Sequence, residues 1–310
     1  DRVSLAARFW RTLAQLVADP GPGDVVLAAP GMKAEALRAL AEVHGEFKGR
    51  IPGLGQSVAV EVAAGAPCGC LRLRKPAGGE GRPRASAVRE AEAVRGTQAW
   101  VERVLVSMKV CPFTGSKSTA AVGLEEAGVS PGGIAYRFTA EAGGAALMAD
   151  FWEAVVGLLV ASEEEQATVL LVAPALDGDF PTYRAVSNLV DASTVAATAF
   201  VEIGLAFFHP RYEAPQELLF GHMRPVSVLR QYWEEVMGRE SLPSDSELKK
   251  AGDYERRTPH ATFNVLRQGQ LKKAEGRRAS NQLYAQNMKR MLEVGWEELQ
   301  RLLESETAPG

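Results

Sequence analysis

The chain has few of the residues from which function is most often read. Only three cysteines occur in 310 residues. They are too few and too irregular for a secreted disulfide framework, which points to a reducing compartment. The histidines, His44, His209, His222 and His260, lack the local spacing of a zinc site, so no metal is expected. No apolar run approaches the ~20 residues of a membrane span. Phe151 to Val160 reaches about half of that, so no membrane association is expected. Charge of one sign is missing too: the net charge is -3, which removes any global attraction to nucleic acid or an anionic bilayer. Gly53-Leu54-Gly55 and Pro131-Gly132-Gly133 lack a Walker lysine and the three-glycine fingerprint, and read as turns.

What is present is ordinary globular composition, 46% hydrophobic and 24% charged, in a length that suits one large domain or two smaller ones. The chain opens on Asp1 rather than Met, which reads as a fragment or a processed form and leaves a targeting segment outside assessment. The expected location is an intracellular reducing compartment, cytoplasm or plastid stroma.

Periodicity divides the chain. Leu5, Phe9, Trp10, Leu13, Leu16 and Val17 share one stripe of a helix over Arg2 to Val17. A strand at Asp24 to Ala29, a helix at Lys33 to Val43 and a hairpin of Ser57 to Ala63 with Gly69 to Arg74 complete an α-β-α-β-β block over residues 1–75. Residues 76–94 hold a Gly, Pro, Arg and Glu-rich stretch that reads as a linker. A larger α/β domain, with α+β as the neighbouring class, is expected over 95–305. Its strands are Ile134 to Thr139, Thr168 to Val172, Phe200 to Phe208 and Thr262 to Arg267, forming a mixed sheet of about four. Thr168 to Val172, apolar throughout, reads as central. Helices are expected at Ala145 to Ala161, Tyr183 to Ser193, Val226 to Met237 and Asn281 to Leu303.

Two motifs place reactive side chains at element ends, where sites are usually built. The helix carrying Trp100, Val101, Val104, Leu105 and Met108 runs into Cys111-Pro112-Phe113. The strand ending at Phe208 runs into His209-Pro210. From Trp100 onward these landmarks, with Leu170-Leu171-Val172, Asp179-Phe180, Tyr183, Tyr212, Thr262, Leu266, Arg267, Asn287 and Gly295 in order, resemble a bacterial and plastid-containing-eukaryote family. That family is known only as domain of unknown function 1415, and the resemblance covers roughly residues 98 to 300. It implies no activity. Family members typically carry a histidine where this chain has Asn264, an asparagine-arginine pair where it has Arg256-Arg257, and a proline where it has Ala261. His260 stands near enough to substitute for the missing histidine.

These landmarks frame the expectations. Cys111 is a thiol nucleophile or redox centre, or a small buried hydrophobe; a helix carboxyl end gives it no activation. His209 is its general base, a metal or haem ligand, or a histidine bonded to a loop carbonyl. Cys68-Gly69-Cys70 reads as two core or surface thiols rather than a metal clip. Residues 249–278 carry a net charge of +6, either a solvated loop or an anion site around Arg256, Arg257, His260 and Arg267. Nucleic-acid readout would want more interleaved aromatics. The leading expectation is a small-molecule site of Cys111, His209 and Arg267, with Arg257, His260, Asn264 and Asn287 as ligand-binding candidates. The ligand would be an anionic small molecule; no cofactor is identified. The alternative is a non-catalytic module binding a protein partner or an anionic ligand, with these residues structural.

Overall fold

The structure, a computed structural model, describes residues 1–62, 69–77, 85–111, 113–122, 124–142, 144–214, 225–275 and 280–307. Cys68, Pro112, His222, Arg277 and Arg278 therefore lie outside the described residues.

The first block follows its pattern. Helix α1 (Arg2–Ala18) begins where Asp1 accepts the Ser4 N–H at 2.7 Å, a side-chain N-cap. β1 (Gly23–Ala29), α2 (Ala34–Phe47), β2 (Ala59–Val62) and β3 (Gly69–Lys75) follow. The strands form an antiparallel sheet in the order β1-β3-β2. Lys75, almost fully buried, donates its ammonium to Leu16 O at 2.9 Å and to Asp19 O. It thereby satisfies carbonyls that the end of α1 leaves without intrahelical partners.

Beyond residues 76–94 the larger unit is built. Within the expected linker, Ser86 N–H donates to Ala140 O at 2.8 Å and α3 (Glu90–Trp100) already begins at Glu90. The backbone then widens into a π-helical stretch, Val101–Val106. β4 (Thr119–Ala120), β5 (Gly132–Phe138), α4 (Gly144–Val160), β6 (Thr168–Val172), α5 (Phe180–Ala196) and β7 (Ile203–Phe208) come next. α6 (Val226–Met237), α7 (Asp245–Glu255), β8 (Thr262–Arg267), α8 (Gln268–Glu275), α9 (Ser280–Val294) and α10 (Trp296–Thr307) complete the chain. The sheet has five strands, in the order β4-β5-β6-β8-β7, with β5 and β6 parallel and the other pairings antiparallel. The four expected strands are its core; the two-residue β4 is the addition. β6 is central and buried along its whole length. The single long terminal helix is instead two, broken at Gly295, whose φ of +84° lies in the left-handed region that favours glycine.

Both faces of this sheet are covered, an α/β architecture. On one face Val169, Leu171, Leu205, Phe207, Phe263 and Val265 join a core shared with α4, α5 and the whole first block. α1 lies along α4. The indole N–H groups of Trp10 and Trp152, both fully buried, converge on the Ser193 hydroxyl at 2.9 and 3.0 Å. One hydroxyl with two lone pairs thus satisfies donors from the two blocks at once. On the other face Leu170 and Phe208 pack under Trp100, Leu229, Trp233, Leu248 and Met288. Because β5, β6 and β7 point the same way and β8 runs against them, one end of the sheet collects three strand carboxyl ends and the start of β8.

Candidate functional site

The two sequence motifs end up at opposite ends of the sheet. Cys111 follows the π-helical stretch. Its N–H reaches back to Leu105 O at 3.4 Å, and three residues on Thr114 bridges to Ala120, next to the first residues of β5. Half-buried, it packs between the helix-side cluster and a small one of Phe113, Ala120, Val129, Ala167 and Leu266. Among the described residues its thiol makes no hydrogen bond. Lys109 and Ala121, both non-glycine with positive φ (53° and 63°), flank this loop. A π-helical stretch and left-handed non-glycine residues are both uncommon conformations.

Arg267 lies at this same end but does not face an open site. Its Nε donates to Gln166 O at 2.9 Å, and one terminal nitrogen reaches Leu158 O, Ala161 O and Ser162 O at 2.6 to 3.1 Å. The guanidinium closes the carboxyl end of α4, where carbonyls need donors and positive charge is favoured.

His209 follows the last residue of β7, and its backbone N–H donates to Arg256 O at 3.0 Å. Phe208 pairs with Thr262, four positions along β8 from Leu266 in the Cys111 cluster. That span is roughly 13 Å at ~3.3 Å per residue, so the structure does not bring Cys111 and His209 together. Nor does His209 have a nitrogen to offer. Nδ1 accepts the Arg211 N–H at 3.0 Å, which makes Nε2 the protonated nitrogen, donating to Leu176 O at 3.0 Å. The ring is inaccessible, packed against Phe180 and Tyr183. Burial holds its pKa below the ordinary histidine value, partly countered by the Leu176 carbonyl.

What gathers around His209 is a ring of three segments: 176–179 after β6, 209–212 after β7 and 256–260 before β8. Of the residues expected from the sequence, Arg257 and His260 lie in this ring, with the backbone of Arg256; Asp177 was not among them. The Asp177 carboxylate takes His260 Nδ1–H on one oxygen and the Ala261 N–H on the other, both at 2.7 Å. His260 is thereby fixed with Nδ1 protonated, and its Nε2 makes no hydrogen bond among the described residues. Thr258 and Thr262 both donate hydroxyls to His260 O, at 2.5 and 2.9 Å, which immobilises the backbone beneath the ring. Asp179 caps α5 through the Thr182 N–H and hydroxyl, and the backbone bond holds its carboxyl below the usual range. No local sequence spacing links residues 177 and 260; only the β6–β8 pairing does.

The remaining candidates are dispersed. Arg256 turns toward the helix layer, its guanidinium over the Phe208 ring and bonded to Tyr284 Oη at 2.8 Å. Asn287, buried, donates to Glu255 Oε1 at 2.8 Å while its own carbonyl oxygen has no partner among the described residues. Asn264 sits on the helix-side face of β8 between Leu170 and Ala206, and accepts the Thr168 hydroxyl at 2.6 Å. The basic segment is spread over α7, β8 and α8, so it is not one patch. Among the described residues, no group of three His, Cys, Asp or Glu side chains is placed to hold a metal ion, and no helix is long and apolar enough to cross a membrane.

No curated protein and no solved structure matches the chain. Residues 92–217, which include Cys111, Asp177, His209 and Arg211 and stop short of His260, match the family described as protein of unknown function (DUF1415).

Proposed function

We propose that this protein binds a small polar molecule at the carboxyl ends of β6 and β7, with His260 as the proton-transfer group of the site and Asp177 as its positioning residue. The observation that carries this reading is the 2.7 Å bond from His260 Nδ1 to Asp177 together with the unengaged Nε2. A carboxylate behind an imidazole fixes the tautomer and orientation, and leaves the far nitrogen as an acceptor for a substrate proton. The position also favours it, since open α/β sheets bind ligands outside strand carboxyl ends. Neither Cys111 nor His209 has a role in this reaction. Ring nitrogen spectra of histidine-labelled protein test it. His260 should show a protonated Nδ1 and a bare Nε2, and Asp177→Asn should abolish that preference. A His260 protonated on Nε2 would sink it.

One observation favours the non-catalytic alternative. Asp177 also binds the Ala261 N–H at 2.7 Å, so the pair ties the loop after β6 to the loop before β8 and would be needed for that alone. On this reading the Nδ1 proton is protected from solvent exchange and the ring spectra are indifferent to every added small molecule.

A further inference from the structure

We infer that the molecule bound beside His260 carries an oxyanion, and that Arg211 and Arg257 hold it; this rests on the acid–base reading of the Asp177–His260 pair. Both arginines have donors unspent among the described residues. Arg211 reaches Gly178 O at 3.2 Å, the residue after Asp177. Arg257 reaches Tyr212 O at 3.4 Å, the residue after Arg211. Each guanidinium thus spends one N–H on a backbone carbonyl of the same three-segment ring and, among the described residues, keeps the rest of its five donors. Neither forms an ion pair with a described carboxylate, unlike Arg72, Arg230, Arg239 and Arg301.

Four nearby carboxylates have other partners. Both Asp177 oxygens are taken by His260 and Ala261, and both Asp179 oxygens by Thr182. Asp253 is taken by Lys249 and the Ala214 N–H, and Glu255 accepts from Asn287. Arg257 is also oriented, its guanidinium lying 4.4 Å over the Tyr254 ring, itself stacked on Trp296. Two fork-shaped cations on neighbouring segments of one ring of loops, with donors unspent among the described residues, suit a phosphate or carboxylate group. An anion held there would lie in the ring of loops that also carries His260, whose Nε2, unbonded among the described residues, is the nitrogen left to take or give a proton. His209 completes the arrangement structurally: its Nδ1 accepts the Arg211 N–H and so fixes where that arginine starts.

The test uses the full chain at constant ionic strength, with inorganic phosphate and malonate as separate probes. The His260 ring and arginine Nε signals are followed during titration. The expected result is a saturable shift of His260, Arg211 and Arg257 signals with one probe. Binding should weaken at least tenfold in the Arg211→Gln, Arg257→Gln double variant and remain unchanged in Arg239→Gln, a surface control. Preference for phosphate would assign a phosphoryl-bearing ligand; preference for malonate, a carboxylate. An open His260 Nε2 with no saturable shift from either probe, or a shift that survives the double substitution, would overturn the anion site. Saturable arginine shifts with His260 protonated on Nε2 would keep the anion site and overturn the acid–base reading.

Discussion

The two ends of the five-stranded sheet carry similar raw materials and put them to different use. At one end Arg267 and Cys111 sit where β8 finishes and β5 begins. The arginine spends its donors on carbonyls around the close of α4, and the thiol is wedged between two apolar clusters. At the other end His209 and His260 lie within the same ring of loops, and they too differ. His209 gives both nitrogens to backbone partners, whereas His260 gives one to Asp177 and keeps the other. A polar side chain at the end of an element is therefore not yet a site. What distinguishes the ends is hydrogen-bonding capacity left over after the fold has been satisfied.

The largest effect should come from removing what both ends rest on. A fragment beginning at Glu90 strips α1 from α4, removes the Trp10 donor from Ser193 and exposes Trp152, fully buried in the intact chain. The expected outcome is loss of cooperative unfolding and aggregation, read by sedimentation and thermal denaturation. A monomeric, cooperatively folding fragment would instead establish 1–75 as a separable domain behind a linker. Next comes His209→Ala. It opens a cavity among Phe180 and Tyr183 and orphans the Leu176 carbonyl and the Arg211 N–H, at a cost of ~3 kcal/mol. The cost should appear as a lower denaturant midpoint, with a smaller loss for Arg267→Ala.

The same histidine gives the comparison a pH signature. Its folded pKa lies below its unfolded value because burial disfavours the charged ring. The unfolded chain therefore binds a proton first as pH falls. Stability from this residue is present above ~6.5, declines below it, and levels off once pH passes the depressed folded value. His209→Gln should flatten that part of the stability profile, measured as unfolding midpoint against pH. An unchanged slope would assign the acid sensitivity elsewhere. Arg267→Met, which retains the apolar stem and removes the donors, should cost ~1–2 kcal/mol and leave the His260 ring spectrum untouched. A change there would mean that the two ends are coupled.

Much of the frame was legible because its signals are local. β6 and β8 span the very residues that their apolar, β-rich runs mark, and the first block keeps its α-β-α-β-β order. α7 was not legible, since Asp245–Glu255 is mostly polar and owes its start to the Ser244–Glu247 capping box rather than to an apolar stripe. The pairing of Cys111 with His209 failed for a different reason. Two element ends meet only if strand order and direction bring them to the same edge, and neither is written in periodicity. Asp177 was invisible on the same account, being 83 residues from His260 and joined to it only through the β6–β8 register.

The smallest expected effect concerns Cys111, and it tests the comparison at its weakest point. If the end of the sheet holding this thiol is structural, alkylation of native protein should be slow, and its rate should be the same in wild type and His209→Gln. The reason is topological: the sheet separates the two groups, and both imidazole nitrogens are held by the backbone. The one feature pulling the other way is conformational. Lys109 and Ala121 occupy positive φ on either side of the Cys111 loop, and each such residue costs about 1–3 kcal/mol that the surroundings must supply. Lys109→Gly relieves one of them. A rise in stability with no change in thiol reactivity would mean that the strain serves only the sharp turn out of the π-helical stretch. Fast alkylation in the parent that falls in Lys109→Gly would show the strain holding the thiol open, and the Cys111 end would then be a second site.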